Sequence, residues 1–148
     1  MLGLERTQQE GLFELSRLCL HPDVQTEEHN LASWFVARCI KLLRKETKVR
    51  VVLSYADADW HAGTVYKACN FNYYGLTAPK KDFWFKQPDG SFVKHVRGTV
   101  KNVEGEWRNR SQKHRFVLVF DKQLKVLWTK QAFNKSCTSA QGLEDKNI

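Results

Sequence analysis

The segment VRVVLSYADADWHAGTVYKACNF, residues 49–71, constrains the fold more than any other part of the chain. Val51, Val52 and Leu53 form a β-branched, apolar run of the kind that a parallel strand buries on both faces. Polar residues follow at once. Ser54, Tyr55, Asp57, Asp59 and His61 stand at the carboxyl end of that strand, where open α/β sheets place their ligands. Gly63 to Phe71 then reads as one short helix and its exit, with Ala62, Val65 and Cys69 facing the sheet and Tyr66 on a neighbouring face.

Upstream, LFELSRLCL (residues 12–20) alternates through the period of a strand, and His21-Pro22-Asp23 breaks it. Thr26 or Asn30 caps a helix that runs to about Lys45. Glu27 and Glu28 suit its positive end, Arg44 and Lys45 its negative end. Leu31, Phe35, Cys39 and Leu42, with Ala32, Val36, Ile40 and Leu43, predict a wide apolar face. The order is strand, helix, strand, short helix, so the two strands are expected to be parallel neighbours.

Past Phe71 the pattern changes to short aromatic segments broken by glycine and proline. Gln87-Pro88-Asp89-Gly90 signals a hairpin, and Phe116 to Phe120 is the clearest late strand. Lys122 to Trp128 is either its partner or a tail, and the polar chain beyond Lys130 is expected to fray. The 148 residues suit about one domain. No apolar run is long enough to span a membrane, and the first residues lack the features of a secretory signal, which predicts a cytoplasmic protein. Cys19, Cys39, Cys69 and Cys137 are irregularly spaced and mostly within apolar segments, as expected of reduced core thiols.

A formal charge of +8 favours an anionic partner, nucleic acid first. Arg97, Arg108, Arg110, Lys113, His114 and Arg115 lie among Trp107 and Phe116, which suits phosphate neutralisation and base stacking; a solvated basic edge that protects strands is the alternative. The helix start near Asn30 offers backbone N–H groups to a phosphate, although the spacing equally fits a plain connection. Asp57, Asp59 and His61 suit an acid/base pair, a zinc or iron site, or a helix N-cap by either aspartate. Tyr66 is a proton donor for a departing thiolate or a packing residue.

Taken in order, FELSRLCLHP, VRVVLSYAD and GTVYKACNF resemble the second half of a GNAT-type acyl-CoA N-acyltransferase. The resemblance implies a GNAT-like mixed α/β sheet with flanking helices. It also implies that backbone at Leu18, Cys19 and Leu20 holds a pantetheine arm, that Gln25, Thr26 and Asn30 lie near its pyrophosphate, and that Tyr66 protonates the leaving sulfur. The glycine-rich signature of ordinary members is replaced by Gln25, Thr26, Glu27 and Glu28, and no early strands precede Phe13. Either the chain is a shortened form of that fold, which leaves loss of activity open, or a second chain or a homodimer completes the sheet.

More narrowly, LSRLCLHPD, SYADADWHAGTVYKACNF and QKHRFVLVF together resemble the phage Mom family, which modifies adenine in DNA to evade restriction; the likeness runs from Phe13 to Phe120. It implies an acyl-CoA such as acetyl-CoA as donor, the exocyclic amine of extruded adenine as acceptor, and the cytoplasm of an infected bacterium as location. Asp57 and His61 become candidate bases or metal ligands. The expected layout is a lead over 1–12, a domain over 13–128 and a polar tail over 129–148. Within the domain, 13–76 form the cofactor-side core and 77–128 a basic, aromatic part. Two other functions fit the same residues: an N-acetyltransferase for a protein or small amine, and a nucleic-acid-binding protein without catalysis.

Overall fold

A computed structural model describes residues 1–21, 23–24, 30–95 and 103–134. After a 3-10 turn (Arg6–Gln8) come β1 (Leu12–Leu15), α1 (Leu31–Glu46), β2 (Val51–Asp57), α2 (Thr64–Ala68), β3 (Asn72–Leu76), β4 (Lys80–Lys86), β5 (Phe92–Lys94), β6 (Gly105–Arg110) and β7 (Lys113–Val119). The main sheet has the order β1-β2-β7-β3 and the smaller one β5-β4-β6. The result is mixed α/β with two sheets. β1 and β2 are parallel, as the helical crossover between them requires, while β7 runs antiparallel to both β2 and β3.

Alternation along the strands gives the main sheet two apolar faces. Val52, Ala56, Tyr73 and Phe116 pack with Val36 of α1 and with Tyr66 and Cys69 of α2. Val51, Tyr74 and Val117 point the other way, against Met1, Leu2, Leu124, Val126 and Trp128. The first residues and the segment around Leu124–Trp128 therefore meet over the second face, where the Leu127 N–H donates to the Met1 carbonyl at 2.8 Å. Phe133 crosses to the helical face and packs on Tyr73 and Phe116, with ring centroids 5.6 and 5.8 Å apart. Packing thus takes in Met1 and Leu2 as well as Phe133, and the described stretch after Val119 crosses the sheet instead of adding a strand.

Several local expectations are corrected. The first strand stops at Leu15, not Leu20: its ladder ends at the pair Leu15↔Ser54, where the Ser54 hydroxyl also donates to the Leu15 carbonyl at 2.8 Å. α1 begins after Asn30, whose left-handed φ of 66° starts the helix without a side-chain cap; Thr26 lies outside the described residues. Its apolar face is narrower than the spacing implies. Val36 is buried, but Phe35 is 44% and Leu42 59% exposed. Cys69 is buried while Cys19 and Cys39 are exposed, so the expectation of core thiols holds for one of the three described cysteines; Cys137 lies outside them. In α2, Tyr66 and Cys69 turn inward and Val65 is only partly buried, because the helix lasts five residues and its exit bends back through the Phe71 N–H to the Tyr66 carbonyl at 3.0 Å.

The Gln87–Gly90 turn joins antiparallel β4 and β5 as the sequence predicts, with the Gln87 N–H donating to the Ser91 carbonyl at 2.7 Å. The small sheet is an excursion between β3 and β7. Its root is tied to the main sheet by Thr77, whose N–H donates to the Lys113 carbonyl at 2.8 Å and whose Oγ1 accepts from the Lys113 N–H at 3.0 Å. Among the described residues no helix is long and apolar enough to cross a membrane.

Candidate functional site

Beyond Leu15↔Ser54 the two parallel strands part. β2 continues through Tyr55, Ala56 and Asp57, which pair with Arg115, His114 and Lys113 of β7 on the other side. The gap opens into a cleft of about 960 Å³. One wall is the extended chain Ser16–Leu20, including Leu18, Cys19 and Leu20, and the opposite wall is the turn from Trp60 through Tyr66. The first turn of α1 closes one end: Asn30, Leu31, Ala32 and Ser33 line it, and that turn itself carries no acidic side chain. The Cys69 thiol donates to the Ser33 carbonyl at 3.2 Å, which ties α2 to the start of α1; burial pushes that thiol's pKa up.

Tyr66 is only 9% exposed, yet it lines the cleft. Its ring packs edge-on to Phe71 at 5.7 Å and tilted on Phe116 at 5.2 Å. Gly63 makes this approach possible. Its φ is 77°, and a Cβ there would stand 2.3 Å from the Phe116 ring.

Asp57 does not cap a helix, and neither does Asp59; the N-cap of α2 is Gly63. The Asp57 carboxylate accepts from the Lys113 ammonium, from the Ser111 hydroxyl at 2.9 Å and from the Asp59 N–H at 3.2 Å. Burial pushes its pKa up, but these donors outweigh burial and hold the carboxyl below its usual range. A carboxylate so engaged is a weak proton acceptor. His61 is exposed on the cleft wall, positioned by its N–H to the Asp57 carbonyl at 2.7 Å. The proposed zinc or iron site does not fit: among the described residues no three His, Cys, Asp or Glu side chains converge, and Asp57 is already committed to a cation.

The residues expected to contact DNA do not form one surface. His114 is 2% exposed, and its Nδ1 pairs with the Tyr73 hydroxyl at 2.8 Å; alternation on β7 turns it inward, which removes it from any nucleic-acid surface. Burial lowers its pKa. Lys113 is bound to Asp57, and Arg115 lies 4.4 Å over the Trp128 ring on the face away from the helices. Arg108 stacks over Trp84 and Phe92 and pairs with Glu106 at 2.5 Å. Arg110 is exposed at the root of the small sheet. Gln25, Thr26 and Arg97 lie outside the described residues.

Two residues of this region, Trp60 and Arg17, carried no weight in the sequence reading, whereas Tyr55 stood among the polar residues expected at the end of the strand. Trp60, 72% exposed, and Arg17 both stand on the cleft, and Tyr55 lines it together with a second, smaller cavity. An indole inside an otherwise polar loop was the one available signal. Burial, then the nearby Glu14, raises the Tyr55 pKa, against a lowering by Arg115.

The protein is of the mixed α/β class, and a parallel pair that parts over a cleft walled by a helix N-terminus is the layout in which α/β folds place ligands. A family model for the Mom protein family matches residues 2–136, and the chain belongs to that family. Membership points to bacteriophage DNA modification. No curated protein matches the chain.

Proposed function

We propose that this protein is a GNAT-like N-acyltransferase that acts on the exocyclic amine of adenine in phage DNA. The observation that carries the reading is the opening of the β1–β2 pair past Leu15↔Ser54, with Tyr66 in the wall of the gap. The residues fit an acyl-CoA. Main chain at Leu18, Cys19 and Leu20 lines the cleft, where a pantetheine arm can lie along it, and the first turn of α1 with Arg17 nearby suits a pyrophosphate.

When bound, the carrier supplies an electrophilic thioester carbonyl and a sulfur leaving group. Tyr66 delivers its phenolic proton to the departing sulfur, which lets the C–S bond break without a free thiolate forming. His61 takes the proton released by the adenine nitrogen as the N–C bond forms. This is the better assignment of the base, since Asp57 is held ionised by Lys113 and serves to fix the turn that presents His61. The adenine amine is delocalised into its ring and cannot be reached in a stacked duplex, so transfer requires an extruded base. Trp60 offers an exposed aromatic face at the cleft for that base.

The test is mass spectrometry of nucleosides from cells expressing the chain. Acylated deoxyadenosine from the DNA, lost in Tyr66→Phe, is the expected result. Acylated protein with unmodified DNA favours an amine or protein acetyltransferase, and an unmodified adenine pool with folded protein favours binding without catalysis.

A further inference from the structure

The smaller cavity, about 480 Å³, lies on the sheet face opposite α1 and α2. Its strand residues Glu14, Tyr55, Asp57 and Lys113 alternate with the inward-facing Ala56 and His114. It meets the larger cleft at Ser16, Tyr55 and Asp57, which line both. We propose that this cavity seats a phosphodiester of the acceptor DNA between Lys80 and Arg110, a placement that rests on the transferase reading for which strand is bound and why.

Lys80 and Arg110 are direct cross-strand partners in the β4–β6 ladder, and both line the cavity. Like charges placed directly opposite each other in a ladder are destabilising. The other cations on this side of the small sheet are compensated. Lys94 reaches Asp82 at 2.5 Å, Lys86 reaches Glu104 at 3.4 Å, and Arg108 reaches Glu106 at 2.5 Å. Asp82 is close enough for Arg110 to lower its pKa, but its hydrogen bond goes to Lys94. Among the described residues Lys80 and Arg110 make none of the ion pairs. Across the cavity Lys113 is already taken by Asp57, so among the described residues that line this cavity Lys80 and Arg110 are the cations without an ion pair.

An oxyanion with two exposed oxygens suits such a pair, because the guanidinium offers a planar fork and the ammonium a point charge. The same chemistry is present in a phosphate of the acyl carrier. The helix N-terminus that would receive the carrier's pyrophosphate faces the other cleft, which favours a DNA phosphate here. A strand anchored at this cavity brings its neighbouring nucleotide to the shared seam at Tyr55 and Asp57, beside the reaction cleft.

The experiment measures anisotropy of a labelled, adenine-containing duplex across a salt series, with calorimetric titration of acetyl-CoA alongside. Lys80→Glu is compared with Arg110→Gln and with Lys81→Glu, which sits on the opposite side of the same ladder beside Asn109. Lys80→Glu and Arg110→Gln are expected to weaken duplex binding about tenfold and to lower the salt slope by about 1 each, with acetyl-CoA binding unchanged and a smaller effect from Lys81→Glu. Lys80→Glu also replaces a like-charge pair by an opposite one, so its melting temperature is expected not to fall. Equal losses from Lys80→Glu and Lys81→Glu, or an unchanged slope in both cavity variants, overturn the site. Loss of acetyl-CoA binding with DNA binding intact overturns it too, by assigning the phosphate to the carrier. A wild-type chain whose duplex binding depends on Lys80 but which leaves adenine unmodified supports the phosphate site and overturns the transferase reading.

Discussion

Lys113→Met tests whether Lys113 belongs to Asp57 or to DNA. The substitution keeps the aliphatic stem and removes the ammonium from a pair whose side chains are 28% and 27% exposed. Exposed ion pairs contribute about 0.2–1 kcal/mol, and breaking a fully buried one costs about 3–5 kcal/mol. The pair lies between these regimes, and the Ser111 hydroxyl and Asp59 N–H still hold the carboxylate after the change. The expected cost is about 1–2 kcal/mol near neutral pH. For a chain of this length that lowers the melting temperature by about 2–8 °C. The pH dependence follows from the sign of the Asp57 shift. The folded pKa lies below the ordinary value of 3.8, so the pair's contribution is present above that value and lost as pH falls through the lower folded one. The gap between wild type and variant is therefore constant above about pH 5 and narrows below about pH 4. Thermal melts across that range, with Asp57→Asn and the double variant to complete a cycle, measure it. Equal melting temperatures near neutral pH, or a gap that persists undiminished in acid, refute the pairing. A drop in the DNA salt slope with no loss of stability returns Lys113 to the nucleic-acid surface.

Tyr66→Phe removes one hydroxyl from a ring already packed on Phe71 and Phe116, so it is expected to slow transfer by about 100-fold or more with DNA affinity within twofold; parallel losses in rate and DNA binding make Tyr66 structural. Gly63→Ala places a Cβ against the Phe116 ring at a positive φ and is expected to cost about 2–4 kcal/mol in urea unfolding, whereas a change under about 0.5 kcal/mol contradicts the packing. His114 has a folded pKa below its ordinary 6.5, so its neutral form stabilises the fold above that value and the contribution is lost as pH falls below it. His114→Gln is expected to flatten the fall in melting temperature between about pH 7 and 5, at some cost in absolute stability, and an unchanged slope assigns the acid sensitivity elsewhere.

The parallel pair, the crossover helix and the β4–β5 hairpin were legible in the sequence because each depends on local signals: an apolar β-branched run, a 3.6 period and a Pro-Asp-Gly turn. What failed were properties set by distant partners. Alternation from Leu12 to Leu20 looks like one strand, but a strand is made by its pairing, and the chain leaves β2 after Leu15↔Ser54 although β2 runs on to Asp57. The apolar residues of α1 outnumber those that a single sheet edge can cover, so Val36 is buried and Leu42 is not. The basic residues near the end of the chain looked like one cluster because they are close in sequence. On β7 the strand period sends Lys113 and Arg115 to one face and His114 to the other, and β6 carries Arg108 and Arg110 into a different sheet. Lys80, which sequence order separates from Arg110 by a whole hairpin and loop, becomes its direct neighbour only through the ladder.

The same break in the sheet accounts for both cavities. A continuous β1–β2 ladder through residue 57 would pair the backbone of Tyr55 and Asp57 on both sides and seal the helical face from the opposite one. Ending it at Leu15 leaves Ser16, Tyr55 and Asp57 at a seam open to each. A carrier held at the helix N-terminus and a DNA strand held at the root of the small sheet can then approach from opposite faces and meet without either crossing the core. On the transferase reading proposed above, the described strands β4 and β6 would serve acceptor binding, whereas β1, α1 and α2 would serve the carrier. Substitutions in the two regions should therefore separate DNA affinity from acyl-CoA affinity, and only the seam residues should affect both.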